Sequence, residues 1–232
     1  VAIPVVLIMT VALGLLIERA AYKPLRSAPR MSVMISAIGV SYLLQNLATY
    51  ITGGLARPYP EIPFLKGTFM LGALKIKIIT VVTPLLTILL VIALVIFINH
   101  TKTGMAMRAV SRDFDTARLM GIKVNNIISV TFIIGSFLAG VGSILYFSNY
   151  GQVSPTIGAM PGLKAFVAAV FGGIGSIPGA VLGAYIIGIC ESLIKANDAI
   201  AIFSNAFTFA LLILVLLFKP NGMFGEKLAE KV

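Results

Sequence analysis

The chain has 232 residues, 59% of them hydrophobic and only 11% charged, well under the roughly 25% charged residues of a soluble domain. Its formal net charge of +10 is carried in short stretches between apolar runs, the pattern of a polytopic membrane protein and not of a phosphate-binding surface. The single cysteine, Cys190, excludes an internal disulfide and any Cys-rich metal site; it lies in an apolar run and reads as a small packed hydrophobe.

In chain order, spans are predicted at residues 1–17, 31–51, 78–98 and 127–147. A short apolar piece follows at 163–173, then two more spans at 178–194 and 199–218. Each full span suits an α-helix in a hydrocarbon core about 30 Å thick, and no alternating pattern supports a β-barrel. Val1 already lies inside an apolar run, which predicts a truncated N-terminus, and no cleavable signal peptide is read there. Pro84 inside the third run predicts a kink. Between residues 52 and 77, Pro58, Pro60 and Pro63 precede the alternating run ALKIKI, which predicts a short hairpin strand over the helix ends.

The loops set an orientation. Arg19, Lys23, Arg26 and Arg30 follow the first span. Lys102, Arg108, Arg112, Arg118 and Lys123 follow the third, and Lys219, Lys227 and Lys231 end the chain. The remaining loops carry only Arg57, Lys66, Lys75, Lys77, Lys164 and Lys195. The richer set is expected on the cytoplasmic side, with the C-terminus. Parity then requires an odd number of crossings after residue 147, so the short piece at 163–173 must enter the membrane. Two readings fit it. One is a half-helix followed by an extended, broken-helix turn, GGIGSIPG, built on Gly172, Gly173, Gly175, Pro178 and Gly179; such breaks are tolerated where protein-buried or lining a cavity. The other is a short tilted helix with a Gly-rich turn.

Residues 107–126 read MRAVSRDFDTARLMGIKVNN. Ser111 or Asp113 can cap a helix N-terminus. Asp113 and Asp115 suit its positive end and Arg118 its negative end. Gly121 suits the C′ position, where positive φ costs glycine little. A helix over about 113–120 is predicted, too short to persist unless it packs on something. Phe114, Ala117 and Gly121 share a face, with Leu119, Met120 and Ile122 adding apolar surface. The segment either lies on lipid headgroups or docks into a groove on a cytoplasmic protein.

The run TGMAMRAVSRDFDTARLMGIKVNNIISVTFIIGSFLAGVGSILY, and later MPGLKAFVAAVFGGIGSIPGAVLGAYIIGICESL, resemble LivH-type permeases of the branched-chain amino acid ABC importer family. The resemblance runs from about residue 31 to the tail KPNGMFG. The family's early Asn/Phe/Ala/His-type segment has no counterpart here, in keeping with a truncated chain. The resemblance implies an all-α, type II ABC importer-like transmembrane bundle, one permease domain over residues 1–232 with a cytoplasmic coupling loop at 99–126. It implies no catalysis and no directly bound cofactor, since GGIGS lacks the Walker A spacing and lysine; ATP–Mg would bind a partner. The implied partners are cytoplasmic ATPase subunits, a second homologous permease, an external or periplasmic substrate-binding protein and membrane lipid, with no nucleic acid. Arg108, Asp113, Phe114, Ala117, Arg118, Leu119 and Gly121 are the implied ATPase contact. The implied location is the inner or plasma membrane.

Polar residues inside spans are the translocation candidates: Gln45, Asn46, Glu191 and Asn205, all read as lying in the outer half of the bilayer. An intramembrane ionisable group is a functional candidate by default. Glu191 is read either as a transient partner for an amino acid's ammonium or as a side chain reaching the interface. Gln45, Asn46 and Asn205 also suit interhelical hydrogen bonding. The pairs Gly179/Gly183 and Ala184/Gly188, and the series Gly135/Ala139/Ser143, suggest close helix packing. His100 has no metal partner in view. Two alternatives stay open: an ion-coupled secondary transporter with Glu191 as its proton site, and an importer of urea or short amides.

Overall fold

The structure is a computed structural model and describes residues 2–25, 30–60, 67–71, 74–173, 175–198, 200–219 and 222–223. Arg26, Pro63, Lys66, Lys227 and Lys231, used above for orientation and loop character, lie outside the described residues, as does Ile174 of the Gly-rich turn. The elements run α1 (Ala2–Ile17), α2 (Arg30–Thr52), β1 (Arg57–Pro58), β2 (Thr68–Leu71), β3 (Leu74–Lys77), α3 (Ile78–His100), α4 (Lys102–Arg112), α5 (Phe114–Leu119), α6 (Val124–Tyr150), β4 (Gln152–Val153), α7 (Ala159–Gly172), α8 (Ile177–Lys195) and α9 (Ser204–Phe218). Among the described residues four helices are long and apolar enough to cross a membrane: Ala2–Tyr22, Ile78–His100, Val124–Tyr150 and Ile177–Lys195. The chain is therefore an all-α, multi-pass membrane protein. Pro84 stands inside α3, which continues through it as one helix.

The chain forms two compact units, Val1–Thr156 and Ile157–Val232. In the first, α1 and α6 pack antiparallel along a seam of small side chains. A Cβ on Gly14 would collide with Ser136, and one on Gly140 would meet Leu7 Cδ2 at 3.0 Å and Thr10 at 3.4 Å. The series Gly135/Ala139/Ser143 predicted a packing stripe, but Gly135 has open space around its Cβ position and Ala139 is exposed. The stripe in use lies one residue on, at Ser136 and Gly140. In an apolar helix every face is greasy, so the sequence offers two small-residue stripes and the partner helix selects one.

The first helix does not stop at Ile17. It continues as a π-helix over Glu18–Tyr22, where the loop reading had placed the start of a cytoplasmic connection. Glu18 turns inward and is 1% exposed; its Oε2 accepts from Ser129 Oγ of α6 at 3.2 Å. Tyr22 packs on Phe132 with ring centroids 5.0 Å apart. A buried carboxylate needs such donors to be tolerated, and π-turns recur at functional segments.

The predicted hairpin is present: β2 and β3 pair antiparallel, Thr68 with Lys77 through Leu71 with Leu74. A second ribbon was not legible in the sequence: β1 pairs antiparallel with β4, Arg57 with Val153 and Pro58 with Gln152. Strands of two residues leave too little alternation to read.

In the second unit, α7 and α8 form an antiparallel hairpin, and α9 covers it. Val167, Ala168, Phe171 and Ile187 are buried together, with Phe209, Leu211, Leu212 and Val215 of α9 packed against them. At about 1.5 Å per residue α7 is about 21 Å long, shorter than the hydrocarbon core. The broken turn is tighter than predicted: Gly172 ends α7 and Gly179 lies within α8. Of the described residues, Gly173, Gly175 and Ser176 lie between the two helices. Gly173 (φ 107°) and Gly175 (φ 101°) adopt conformations other residues rarely reach. Ser176 caps α8 by accepting from Gly179 N at 3.2 Å, and Pro178 sits in its first turn. The residues after α9 return to this turn, where Met223 N donates to Phe171 O at 2.9 Å. Gly179 and Gly183 are buried in the hairpin, whereas Ala184 and Gly188, predicted to pack in the same way, are exposed.

Candidate functional site

The charged segment between α3 and α6 folds as two helices. Thr101 joins the first to α3: its Oγ1 donates to Phe97 O at 2.6 Å and accepts from Gly104 N at 3.0 Å, capping α4. Gly104 is forced by the corner, since its Cβ position lies 2.5 Å from Phe97 O and Ile98 Cα. Helix α4 was missed by the sequence reading, which treated these residues as loop. Its signals were the Thr101–x–x–Gly104 cap and the spacing of Gly104, Met107 and Val110 on one face, away from Lys102, Arg108 and Arg112. Met105, Arg108, Ala109 and Arg112 line an open groove of about 310 Å³ on the exposed side.

Helix α5 follows the predicted punctuation closely. Asp113 is its N-cap, its Oδ1 accepting from Asp115 N at 3.0 Å and Thr116 N at 3.1 Å. Ser111, the other capping candidate, donates to Arg108 O instead. At the far end Gly121 has φ 80°. Gly121 N donates to Arg118 O at 3.0 Å and Ile122 N to Ala117 O at 3.1 Å, the paired bonds of a Schellman closure with Ile122 as its apolar contact. Arg118 approaches Asp115 at 4.0 Å, both well exposed, an ion pair of little energetic weight.

The packing splits the predicted face. Ala117 is 3% exposed and buried against Val110 and Val124, with Ile122, Ile127 and Ile128 around them. It holds α5 onto α4 and α6. Phe114 is about half exposed, and Leu119 (88%) and Met120 (78%) stand almost wholly in the open. The helix ends at Leu119, so Gly121 belongs to the closure and not to the helix face. Replacing Asp113 by alanine is expected to cost about 1 kcal/mol of local stability, and Gly121 by valine about 1–2 kcal/mol through its left-handed φ. Faster hydrogen exchange at the amides of residues 114–120, with the α1–α6 amides unchanged, checks both.

Each intramembrane candidate is described within its own unit. Gln45 Nε2 donates to Ser41 Oγ at 3.0 Å and Asn46 Nδ2 to Tyr42 O at 2.8 Å, both within α2. Asn205 is half-buried in the first turn of α9. Cys190 is half-buried in α8. Among the described residues no group of His, Cys, Asp and Glu is placed to hold a metal. Glu191 differs from the rest. It lies near the end of α8, and its Oε1 accepts from Lys164 Nζ of α7 and from Lys195 Nζ, each at 2.5 Å. The sequence reading placed both lysines in loops and did not connect them to Glu191.

The family described as branched-chain amino acid transport system / permease component matches residues 1–216. The high-affinity branched-chain amino acid transport system permease protein BraD of Pseudomonas aeruginosa is 41% identical over 231 residues, covering 97% of this chain and 74% of BraD. The corresponding LivH protein of Escherichia coli K12 is 40% identical over the same length and shares. A probable LivH of Methanocaldococcus jannaschii is 30% identical over 240 residues, again covering 97% of this chain and 74% of the relative. No solved structure matches the chain at a significant level. With the match extending over nearly all of an all-α membrane chain, this protein belongs to the permease component family of branched-chain amino acid transport systems, a family of transporter subunits and not of enzymes.

Proposed function

We propose that this chain is the membrane permease subunit of an ATP-driven importer that passes branched-chain or related amino acids from an external binding protein to the cytoplasm. The observation that carries the mechanism is α5, a two-turn helix capped at both ends, seated on the chain through Ala117, and presenting Leu119 and Met120 outward between two membrane helices. Isolated helices of this length are unstable, so both caps and the buried alanine serve to hold one exposed apolar tip in a fixed position. That suits the helix-in-groove mode of docking. The groove belongs to a cytoplasmic ATPase subunit, which binds ATP–Mg and drives the cycle. Arg108 and Arg118 face the acidic rim of that groove, with Phe114 and Asp113 at its edge. On this reading α4, α5 and the C-terminus lie in the cytoplasm, in keeping with the basic residues in those stretches of the sequence.

Two features support transmission from that contact. Val124, the first residue of α6, is part of the cluster that buries Ala117. Helix α6 is in turn locked to α1 through the Gly14–Ser136 and Glu18–Ser129 contacts. Motion imposed on α5 therefore reaches α6 and α1 as one packed body. A second permease completes the pathway.

Reconstitution in proteoliposomes with the cognate ATPase and binding protein tests this reading. Leucine uptake is expected to require ATP inside and binding protein outside. Uptake that instead follows an imposed H⁺ or Na⁺ gradient without ATP would establish a secondary transporter.

A further inference from the structure

Glu18 and Tyr22 reach from α1 to α6 in crossed order. Glu18 Oε2 accepts from Ser129 Oγ at 3.2 Å, while Tyr22 packs its ring on Phe132. In an antiparallel pair, a residue further along α1 meets one nearer the start of α6. The rest of the seam obeys this: Gly140 faces Leu7 and Thr10, and Ser136 faces Gly14. Glu18 and Tyr22 reverse it, since Glu18 takes the earlier residue of α6 and Tyr22 the later one. The crossing falls in the π-turn, where Lys23 N donates to Glu18 O at 2.8 Å.

Crossed contacts resist sliding in both directions. Shifting α1 along α6 in one sense stretches the bond to Ser129, and the opposite shift pulls Tyr22 off Phe132. The small-residue seam allows close approach but supplies no directional bond, and lipid gives apolar helices no hydrophobic drive to hold register. Glu18 is also an expensive brace. It is 1% exposed, and a buried carboxylate carries a desolvation cost that packed apolar side chains avoid. Buried polar groups are best attested where they fix a single register. The position suits that role, because Ser129 lies about one and a half turns beyond Val124, the α6 residue in the cluster that buries Ala117.

We propose that Glu18 is a positioning residue which, with Tyr22, forms a two-way clasp that passes both strokes of α6 to α1. This rests on the importer reading above. It adds that α1 is driven through one hydrogen bond and one ring contact, not through the small residues of the seam.

The test uses the reconstituted importer with its ATPase and binding protein, and reads leucine imported per ATP hydrolysed. Ser129→Ala removes the donor without touching the π-turn, and Glu18→Leu removes the acceptor. Each is expected to lower leucine per ATP about tenfold, the effect of one lost buried hydrogen bond, while hydrolysis stimulated by loaded binding protein stays within about twofold. Tyr22→Leu is expected to uncouple in the same way. Glu18→Gln keeps an oxygen acceptor and is expected to retain most of the coupling. A purely structural brace predicts a different pattern: hydrolysis and uptake would fall together, in step with the unfolding midpoint in detergent. That pattern, or wild-type leucine per ATP in both Ser129→Ala and Glu18→Leu, overturns the clasp and leaves the importer reading intact. Wild-type complex without ATP-dependent uptake overturns the importer reading and the clasp with it.

Discussion

Replacing Leu119 and Met120 together by aspartate is expected to abolish association with the ATPase while leaving the permease folded in the membrane. Both side chains stand clear of the chain, at 88% and 78% exposure, so their loss removes nothing from the fold. Burying each in a partner's groove is worth about 1.5–3 kcal/mol, and the pair about 3–6 kcal/mol. At about 1.4 kcal/mol per factor of ten, that weakens binding by at least about 100-fold. Co-purification of the ATPase and its stimulation by loaded binding protein are the measurements. The alternative placement, on lipid headgroups, makes the opposite forecast: the double aspartate variant would keep its ATPase and shed only lipid contact. Substituting Ala117 is not an equivalent experiment, because it would break the cluster with Val110 and Val124 that seats the helix.

The second large effect is expected at Gly172. A Cβ there would collide with the carbonyl of Gly179 on the facing helix, and one on Gly183 would stand 2.7 Å from Ala168 O and 3.1 Å from Gly172 N. These are backbone atoms of the opposing helix, so no rotamer change relieves the clash. Gly172→Val is expected to force α7 and α8 apart at a cost of about 3 kcal/mol or more. The loss should appear as depleted protein in the membrane and a lowered unfolding midpoint in detergent. Gly188→Val on the same α8 is the matched control: nothing lies within 4 Å of its Cβ position, and normal expression is expected. Equal tolerance of both substitutions would mean that the hairpin is not held by this contact.

These two experiments probe features of different legibility. The caps of α5 could be read because they are local. Asp113 meets amides two and three residues on, and Gly121 closes a turn whose partners are Ala117 and Arg118. Such contacts lie within one or two turns of sequence, and the residue types they require are few. The exposure of Leu119 and the burial of Ala117 were not readable in the same way, because they depend on α4 and α6 arriving from either side. Helix α4 is legible in its capping threonine and its one-sided spacing, but membrane orientation accounts equally well for its basic residues. Within the Gly-rich stretch, Gly172 and Gly179 belong to helices α7 and α8, and Gly173, Gly175 and Ser176 lie between them.

By itself the sequence determined that this is a multi-pass helical membrane protein, where most spans begin and end, that a short helix closed at Gly121 lies between two spans with Ser111 or Asp113 as its cap, and through long matched stretches which family the chain resembles. All of these follow from apolar length and from interactions between near neighbours in the chain. The tertiary structure alone decided which small-residue stripe of α6 meets α1, that Glu18 is drawn inward to Ser129, and that Glu191 receives both Lys164 and Lys195. In a membrane helix every face is apolar, so hydrophobic periodicity no longer marks the inward side, and an isolated charge in the sequence does not announce its partner. Close backbone approach and charge pairing make those choices, and they exist only once the helices are side by side.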